Sequence, residues 1–530
     1  MKNRFMRRTR KKVSLGSAAT LLIVMALSGQ ILGFLRNRLI STNFTVVDPG
    51  SSDALFAAFV IPDFFFYTIA AGALGVAFIP FLSDKIESSD KKGAWDLASS
   101  LLNLLTIVMG FVAVIILIFA EPLMGLIAPN LPPDHFQEAV MIMRLLSLNP
   151  LLFTVSGLLT AVQQTFGRFF FYAIAPLTYN AVIIMSIYLF RDTIGIVGLG
   201  VGALIGGLLQ LSISLIGLYG LGFRYKPVIL WRKKQFREVL KNLPPRSLDQ
   251  GIDQVNNVVE INRAQTLGIG AVSSYSFALT LMHVPIILLG NSIAIAAFPR
   301  FTERLSQNRP DLFRKDFLEV LRTIIWVTMP VIVVCYFARA YLARLIFGDV
   351  APQVALIFGF LVVAIFFRII YAMISRYFYA YKDTKTPLFV SIFAIGFNIF
   401  LAFTLSRPEA YGIAGLAIAQ SIVATSEVVI LSGIMLYRDR KMFQPSFVAS
   451  VFKIISVTGF TLVATFIMLS ILPLNASDRG FVTLGGKLAL ISSVTMLTHL
   501  VVSRIFDLSE AHLVINKAYN IIMKPIRVDV

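Results

Sequence analysis

Of the 530 residues in this chain, 57% are hydrophobic and only 14% charged, against about a quarter charged in soluble domains; the mean hydropathy is +0.80. These values exclude a soluble globular protein and indicate a polytopic membrane protein. The net charge of +19 does not point to nucleic acid, because the basic residues cluster in short loops between apolar runs, as the positive-inside rule requires.

The basic start, MKNRFMRRTRKK, and the apolar run from Val13 to Ala26 have the look of a signal peptide. The apolar pattern continues through Ile31 to Phe34 with no boundary, so the run is read as a retained first helix. At about 20 apolar residues per span, helices are expected near 14–35, 53–82, 95–119, 136–163, 168–190, 194–222, 247–270, 275–299, 317–338, 352–375, 386–406, 411–436, 448–473 and 480–503. The fold class is therefore all-α, with about 14 transmembrane helices.

Loop charge tests this count. With the N-terminus inside, Lys85, Lys91, Lys92, Arg168, the basic run Arg224 to Arg246, Arg300 to Lys315, Lys382, Lys385, Arg438, Arg440 and Lys441 all fall in cytoplasmic loops. The opposite loops hold few cations, among them Arg191, Arg339, Arg344, Arg407 and Arg479. The bias holds at nearly every loop only if Ser247 to Leu267 crosses the membrane, and both termini are then cytoplasmic.

That seventh span is the unusual one. At 100° per residue, Asp249, Asp253, Asn256, Glu260 and Arg263 fall in one stripe roughly 80° wide, with Ile252, Val255, Val258 and Val259 largely off it. Charges at bilayer depth cost about 2.5–3.5 kcal/mol each on insertion scales and face bundle interiors or water, so the helix is expected to line a hydrated cavity. The plainer reading is a soluble amphipathic linker helix with a solvated face. The apolar run Tyr275 to Phe298 that follows directly, and the loop-charge count, weigh against it.

An internal repeat organises the remainder. Gly195-Ile-Val-Gly198-Leu-Gly-Val matches Gly412-Ile-Ala-Gly415-Leu-Ala-Ile, each after a helix with a central asparagine, Asn180 or Asn398. Ala77-Phe78-Ile79-Pro80-Phe81 echoes Ala297-Phe298-Pro299-Arg300-Phe301, each after a proline, Pro62 or Pro285. An even six-helix unit gives two lobes of the same orientation, a parallel repeat about the membrane normal. The expected organisation is an N-terminal lobe over 1–222, a basic cytoplasmic linker over 223–246, a C-terminal lobe over 247–437, helices thirteen and fourteen over 438–504, and a cytoplasmic amphipathic tail over 505–530. In the linker, Trp231, Phe236, Val239 and Leu240 alternate with cations, as in a helix lying on an anionic membrane surface. Helices thirteen and fourteen carry Lys453, Lys487 and His499; Lys453 is placed to snorkel to the cytoplasmic interface and Lys487 to the outer one. The pair suits either a lipid-facing groove or a packing buttress.

Several motifs carry a family likeness: Ser28-Gly-Gln-Ile-Leu-Gly33-Phe34-Leu-Arg36, Ser52-Asp53-Ala54-Leu-Phe56-Ala-Ala-Phe59-Val-Ile-Pro62, Ala71-Gly72-Ala73, Gln254-Val-Asn-Asn-Val-Val-Glu260, Leu281-Met282-His283-Val-Pro285 and Tyr379-Ala-Tyr-Lys-Asp383-Thr384-Lys385-Thr386-Pro387. In these the chain resembles the MurJ (MviN) lipid II flippases of the multidrug/oligosaccharidyl-lipid/polysaccharide exporter superfamily. The resemblance implies a two-lobed flippase of the bacterial cytoplasmic membrane that moves undecaprenyl-pyrophosphate-linked peptidoglycan precursor between leaflets by alternating access. It also implies a cationic cavity for the pyrophosphate, an acidic residue at the start of helix two, and a lipid-tail groove at helices thirteen and fourteen.

Arg36 and Asp53 keep that pattern. The family's other cavity arginines fall on Gln30, Phe66 and Thr280, and a family glutamate falls on Ala71. A pyrophosphate needs cations for charge-assisted hydrogen bonds, which nominates Arg263 as a replacement, with Gln254 and Asn257 as further substrate contacts. Arg36 and Arg263 then sit on the first helices of two lobes as a clamp, with Asp53 orienting Arg36. The alternative role of Arg263 is an i+3 partner of Glu260. By the resemblance, some members hold sodium among helices seven, eleven and twelve, so Glu260, Asp253 and Asn398 are the expected residues for Na+ or H+ coupling, and no other cofactor is expected. Cys335, the one cysteine, and four scattered histidines form no metal set. The expected partners are a polyprenyl-pyrophosphate glycan and membrane lipid, with the protein a monomer. The alternatives are a flippase for another polyprenyl-linked glycan, a drug or cation exporter of the same superfamily, and a non-transporting scaffold. An enzyme is not expected, since the sequence shows no metal set, nucleophile elbow, phosphate-binding glycine loop or paired carboxylates with a histidine partner.

Overall fold

The computed structural model describes residues 15–71 and 78–511, without the side chains of 15–23, 71, 80, 235 and 242–250. Gly72, Ala73 and Ala77 of the motifs, the side chain of Asp249, and the tail from 512 onward lie outside the described residues. The described residues form helices and no strands. Twelve stretches among them are long and apolar enough to cross a membrane, and each coincides with an expected span. The other two expected spans are α1 (Leu15–Ile40) and the charged α10 (Lys234–Gln265).

The chain divides into two compact units, 1–273 and 274–530. In the first, α1 is followed by α2 (Pro49–Phe65), α3 (Ile79–Glu87), α4 (Lys91–Ile118), α5 (Ala120–Ile127), α6 (Pro133–Leu146), α7 (Asn149–Thr165), α8 (Phe169–Phe190), α9 (Val197–Leu218) and α10. Asp48 caps α2 by accepting from Gly50 N at 3.2 Å, and Asp90 caps α4 by accepting from Gly93 N at 2.8 Å. After Pro62, α2 opens into a wide π-helical turn over Phe66–Ala71. Helix α1 packs on α8, α8 on α9, and α9 on α7.

Small residues set these approaches, since lipid tails supply no hydrophobic drive between helices. A Cβ on Gly202 would lie 2.2 Å from Ser186 Oγ, whereas one on Gly110 would meet nothing within 4 Å. Gly202→Val is expected to destabilise the first unit by about 1–3 kcal/mol through overpacking and to lower the melting temperature in detergent. Gly110→Val, the control, should melt with the wild type; equal melting of the two variants would contradict the packing argument.

The second unit begins within the first turn of α11 (Ala271–Pro285) and continues through α12 (Ser292–Ser306), α13 (Pro310–Phe337), α14 (Arg339–Phe347), α15 (Ala351–Ala380), α16 (Lys385–Leu405), α17 (Ile413–Arg438), α18 (Pro445–Ile471) and α19 (Phe481–Ile505). The sequence repeat has a structural counterpart in each unit. Gly195 and Gly412 both take positive φ, 59° and 52°. Three residues on, Gly198 and Gly415 abut the preceding segment, where a Cβ would lie 2.2 Å from Phe190 Cβ and 2.0 Å from Leu405 O respectively. Pro285, like Pro62, precedes a π-helical turn, Ile286–Asn291. Proline withdraws a backbone donor, which fits a wide turn at both places.

Two expectations change. Part of the linker's apolar face is covered by protein: Phe236 and Val239 are buried with Phe78, Leu82 and Trp95 in the core of the first unit and Leu240 packs against it, while Trp231 stays exposed. The first unit offers these side chains an apolar seat, and the segment from Lys234 onward is already part of α10. The preceding residues are fastened as well. Lys226 and Lys233 both pair with Asp96, the latter at 2.8 Å, and Ser99 and Ser100 accept from Lys226 N and Leu230 N at 3.2 Å. Secondly, α10, expected to open the second lobe, packs on α2, on the Phe66–Ala71 turn and on α5 in the first unit. Asn262 Nδ2 donates to Leu126 O at 2.9 Å, and Gln265 Oε1 accepts from Asn130 N at 3.2 Å. The repeat pattern records chain order, and these amide contacts decide where the helix packs.

Helices α18 and α19 form a hairpin zipped by polar pairs, Thr461 with His499 Nδ1 at 3.0 Å and Thr465 with Thr495 at 2.8 Å. Trp326 Nε1 on α13 donates to Ser503 Oγ at 2.8 Å, tying the hairpin to its unit. Lys487 pairs with Asp478 at 2.6 Å in the loop between the two helices, and Lys453 Nζ reaches Phe506 O at 3.4 Å beyond the end of α19.

The Asp383-Thr384-Lys385-Thr386-Pro387 motif is a helix start. Asp383 accepts from Thr386 N at 3.0 Å, Thr386 Oγ1 at 2.6 Å and Arg438 Nη1 at 2.6 Å, capping α16 and tying it to the end of α17. Against the desolvation that partial burial imposes, these bonds hold its carboxyl down to about 2. A carboxyl depressed on folding stabilises the native state fully above its unfolded value, about 3.9, and loses that effect as pH falls toward 2. The melting-temperature gap between wild type and Asp383→Asn is therefore expected to be constant from pH 7 to 5 and to close below pH 4. A gap that persisted at pH 2 would remove the ionic contribution.

Candidate substrate site

The first unit encloses a cavity of about 350 Å³ where α1, α2 and α8 meet, its wall mostly aromatic and aliphatic but carrying Arg36, Asp63, Tyr67 and Tyr179. Arg36 Nε and Nη2 donate to Asn37 Oδ1 at 3.2 and 3.1 Å, and Nη1 donates to Asn180 Oδ1 at 3.1 Å. Two neutral amides thus aim the guanidinium, and Asp63 stands on the same wall. A charge at this depth requires such compensation. Asn180, seen in the sequence only as a repeat marker, is what fixes Arg36.

Asp53 does something other than orient Arg36. Its Oδ2 accepts from Gly270 N at 2.6 Å and its Oδ1 from Ser273 N at 2.7 Å, so it caps the start of α11 while almost wholly buried. Gly270 holds φ at +85° there, and a Cβ on it would sit 3.1 Å from Pro49. A helix N-terminus presents unpaired N–H groups and partial positive charge, a nearer and better-directed partner for a carboxylate than a guanidinium on α1. The acid beside Arg36 is Asp63, which sequence reading missed. Its signal was present, a carboxylate inside the apolar run after Pro62.

On α10 the polar stripe changes character along its length. Asp253 is exposed, Gln254, Asn256, Asn257 and Arg263 are half-buried, and Glu260 is 3% exposed and accepts from Asn256 Nδ2 at 2.9 Å. Val255, off the stripe, is exposed. The stripe is therefore exposed at its Asp253 end and enters protein at Glu260. Arg263 and Arg36 both belong to the first unit, so the arrangement of one cation per lobe is not what the packing gives.

In the second unit Asn398 is buried on α16. Nearby in sequence space the structure adds a pair that spacing did not reveal: Arg368 Nη1 on α15 donates to the buried Glu427 Oε2 on α17 at 2.8 Å. One turn on, Tyr371 and Ser391 hydroxyls meet at 3.0 Å between α15 and α16. Each unit thus contains a membrane-depth arginine with a carboxylate near it. No group of three or more metal-ligating side chains occurs among the described residues.

Comparison with known proteins gives these features a context. The family model described as lipid II flippase MurJ matches residues 49–479. A protein named probable lipid II flippase MurJ from Borreliella burgdorferi is 25% identical over 432 residues, covering 80% of this chain and 83% of that one. One of the same name from Buchnera aphidicola subsp. Acyrthosiphon pisum is 25% identical over 467 residues, covering 84% and 88%. Among solved structures, a lipid II flippase MurJ in an inward closed conformation superposes with a TM-score of 0.76 at 22% identity, covering 92% of this chain and 98% of that one. An inward-facing multidrug transporter of the MATE family and MOP superfamily gives 0.65 at 16% identity, covering 80% and 100%. At such identities the structural likenesses speak for the fold.

Proposed function

We propose that this chain, because it belongs to the lipid II flippase MurJ family, moves undecaprenyl-pyrophosphate-linked peptidoglycan precursor across the bacterial cytoplasmic membrane by alternating access, as part of cell-wall synthesis. The observation that carries this reading is the family match over residues 49–479. The exporter alternative draws only on the shared fold of the superfamily.

In this reading Arg36 is the cation that receives the pyrophosphate. Its guanidinium is pre-aimed by Asn37 and Asn180, which lowers the ordering cost of a bidentate contact. The incoming anion enters a wall that Arg36 shares with Asp63. Arg263, with Gln254 and Asn257, supplies further contacts from α10. Glu260, Asp253 and Asn398 serve coupling to Na+ or H+, and the α18–α19 hairpin guides the polyprenyl tail. The protein acts as a monomer with both termini cytoplasmic.

The test is complementation in cells depleted of their own lipid II flippase. Wild-type chain is expected to restore growth and cell shape; a well-expressed, correctly inserted chain that fails to do so sinks the substrate assignment. Sodium-independent transport with unchanged activity in Glu260→Gln would remove the coupling role.

A further inference from the structure

The second unit holds a cavity of about 710 Å³ that the flippase reading does not use. Its volume falls within the roughly 300–1,000 Å³ range of small-ligand sites. It lies where α15 and α17 meet, beside the ends of α13 and α16. One wall is Leu356, Phe360 and Val363, a single face of α15, and Ile422 stands on the other. All four are exposed, by 51%, 40%, 48% and 39%, although they belong to membrane-spanning helices. The hydroxyls between them are already engaged: Ser421 Oγ donates to Phe360 O at 2.6 Å, Thr425 Oγ1 to Ser421 O at 2.7 Å and Ser426 Oγ to Ile422 O at 2.8 Å. The slot is therefore apolar in effect.

Its charge comes from Arg339, which opens α14 directly beyond α13, at the end of a span and so at headgroup depth. Gly359 makes room for it. A Cβ there would lie 3.0 Å from Arg339 Cδ and 3.1 Å from Nε. The guanidinium carbon is 4.8 Å from the Tyr336 ring centroid, and Nη1 donates to Tyr336 O at 2.7 Å. The arginine is thus held by a ring and a carbonyl, neither of which neutralises it. A fixed cation at the mouth of an apolar slot complements a molecule with a hydrocarbon tail and an anionic head.

We propose that this cavity binds an anionic glycerophospholipid, with one acyl chain between α15 and α17 and the phosphate on Arg339. The site is independent of the substrate cavity at Arg36, and its occupancy is read without any transport assay. The experiment is native mass spectrometry of the full chain released from vesicles of equal phosphatidylglycerol and phosphatidylcholine. Wild type is expected to retain phosphatidylglycerol about tenfold over phosphatidylcholine. Arg339→Gln should lose that preference, and Ile422→Trp, which narrows the slot from its exposed wall, should lose the bound lipid. Arg344→Gln, whose guanidinium bonds the Asn475 and Ala476 carbonyls instead, should keep the wild-type preference. Equal retention of the two lipids by wild type, or an unchanged preference in Arg339→Gln, overturns the proposal. Displacement of phosphatidylglycerol by equimolar undecaprenyl phosphate would overturn the assignment to a glycerophospholipid.

Discussion

Arg36→Ala is expected to abolish lipid II flipping in proteoliposomes and to destabilise the protein, for separable reasons. Transport is expected to fail because the donor proposed for the substrate's pyrophosphate is removed. Stability falls as well, because Asp63, half-buried in a cavity walled by aromatic and aliphatic side chains, loses the cation that shares that wall. The double variant Arg36→Gln/Asp63→Asn removes both charges, so its melting temperature should return close to wild type while transport stays absent. Asp63→Asn alone should bind a pyrophosphate lipid several-fold tighter, since the competing carboxylate is gone. If the double variant transports at the wild-type rate, Arg36 is a structural residue and the site lies elsewhere.

The second large effect is expected at Asp53. Asp53→Ala leaves the Gly270 and Ser273 N–H groups without their carboxylate. Hydrogen bonds to a charged group contribute about 1.5–3 kcal/mol each, so a loss of several kcal/mol and a clear drop in melting temperature should follow. Asp53→Asn retains one acceptor oxygen and should fall between alanine and wild type. Binding of a pyrophosphate lipid by the fraction that remains folded should be only mildly affected, in contrast to Arg36→Ala. An Asp53→Ala protein that melts like wild type but fails to bind would return Asp53 to the substrate site.

The helical spans were readable because each is a continuous apolar run, and hydropathy needs no knowledge of neighbours. The charged α10 was readable as a helix, since its polar residues recur at helical steps. The glycine repeat was readable too, because a positive φ and a close backbone approach both admit little besides glycine. What escaped were pairings across the chain. Asp53 has the same composition signal whether it faces an arginine or a helix N-terminus. Arg368 and Glu427 sit in separate apolar runs, and only the packing of α15 on α17 makes them a pair. The linker's amphipathic pattern was read correctly, but a pattern does not say whether lipid or protein covers the apolar face.

The fastening of residues 226–233 to α4 bears on where this chain can be opened for engineering. The basic linker invites insertion of a reporter domain, yet the backbone N–H groups of Lys226 and Leu230 and the ammonium groups of Lys226 and Lys233 are all engaged there. A foreign domain in that interval would pull the two lysines off Asp96 and unseat Phe236 from the core. Tolerance to insertion follows backbone engagement more closely than hydrophilicity. The short turn Gln307-Asn308-Arg309, exposed and with its backbone bonded to the end of the helix before it and the start of the one after, is the more permissive place for a fluorescent tag.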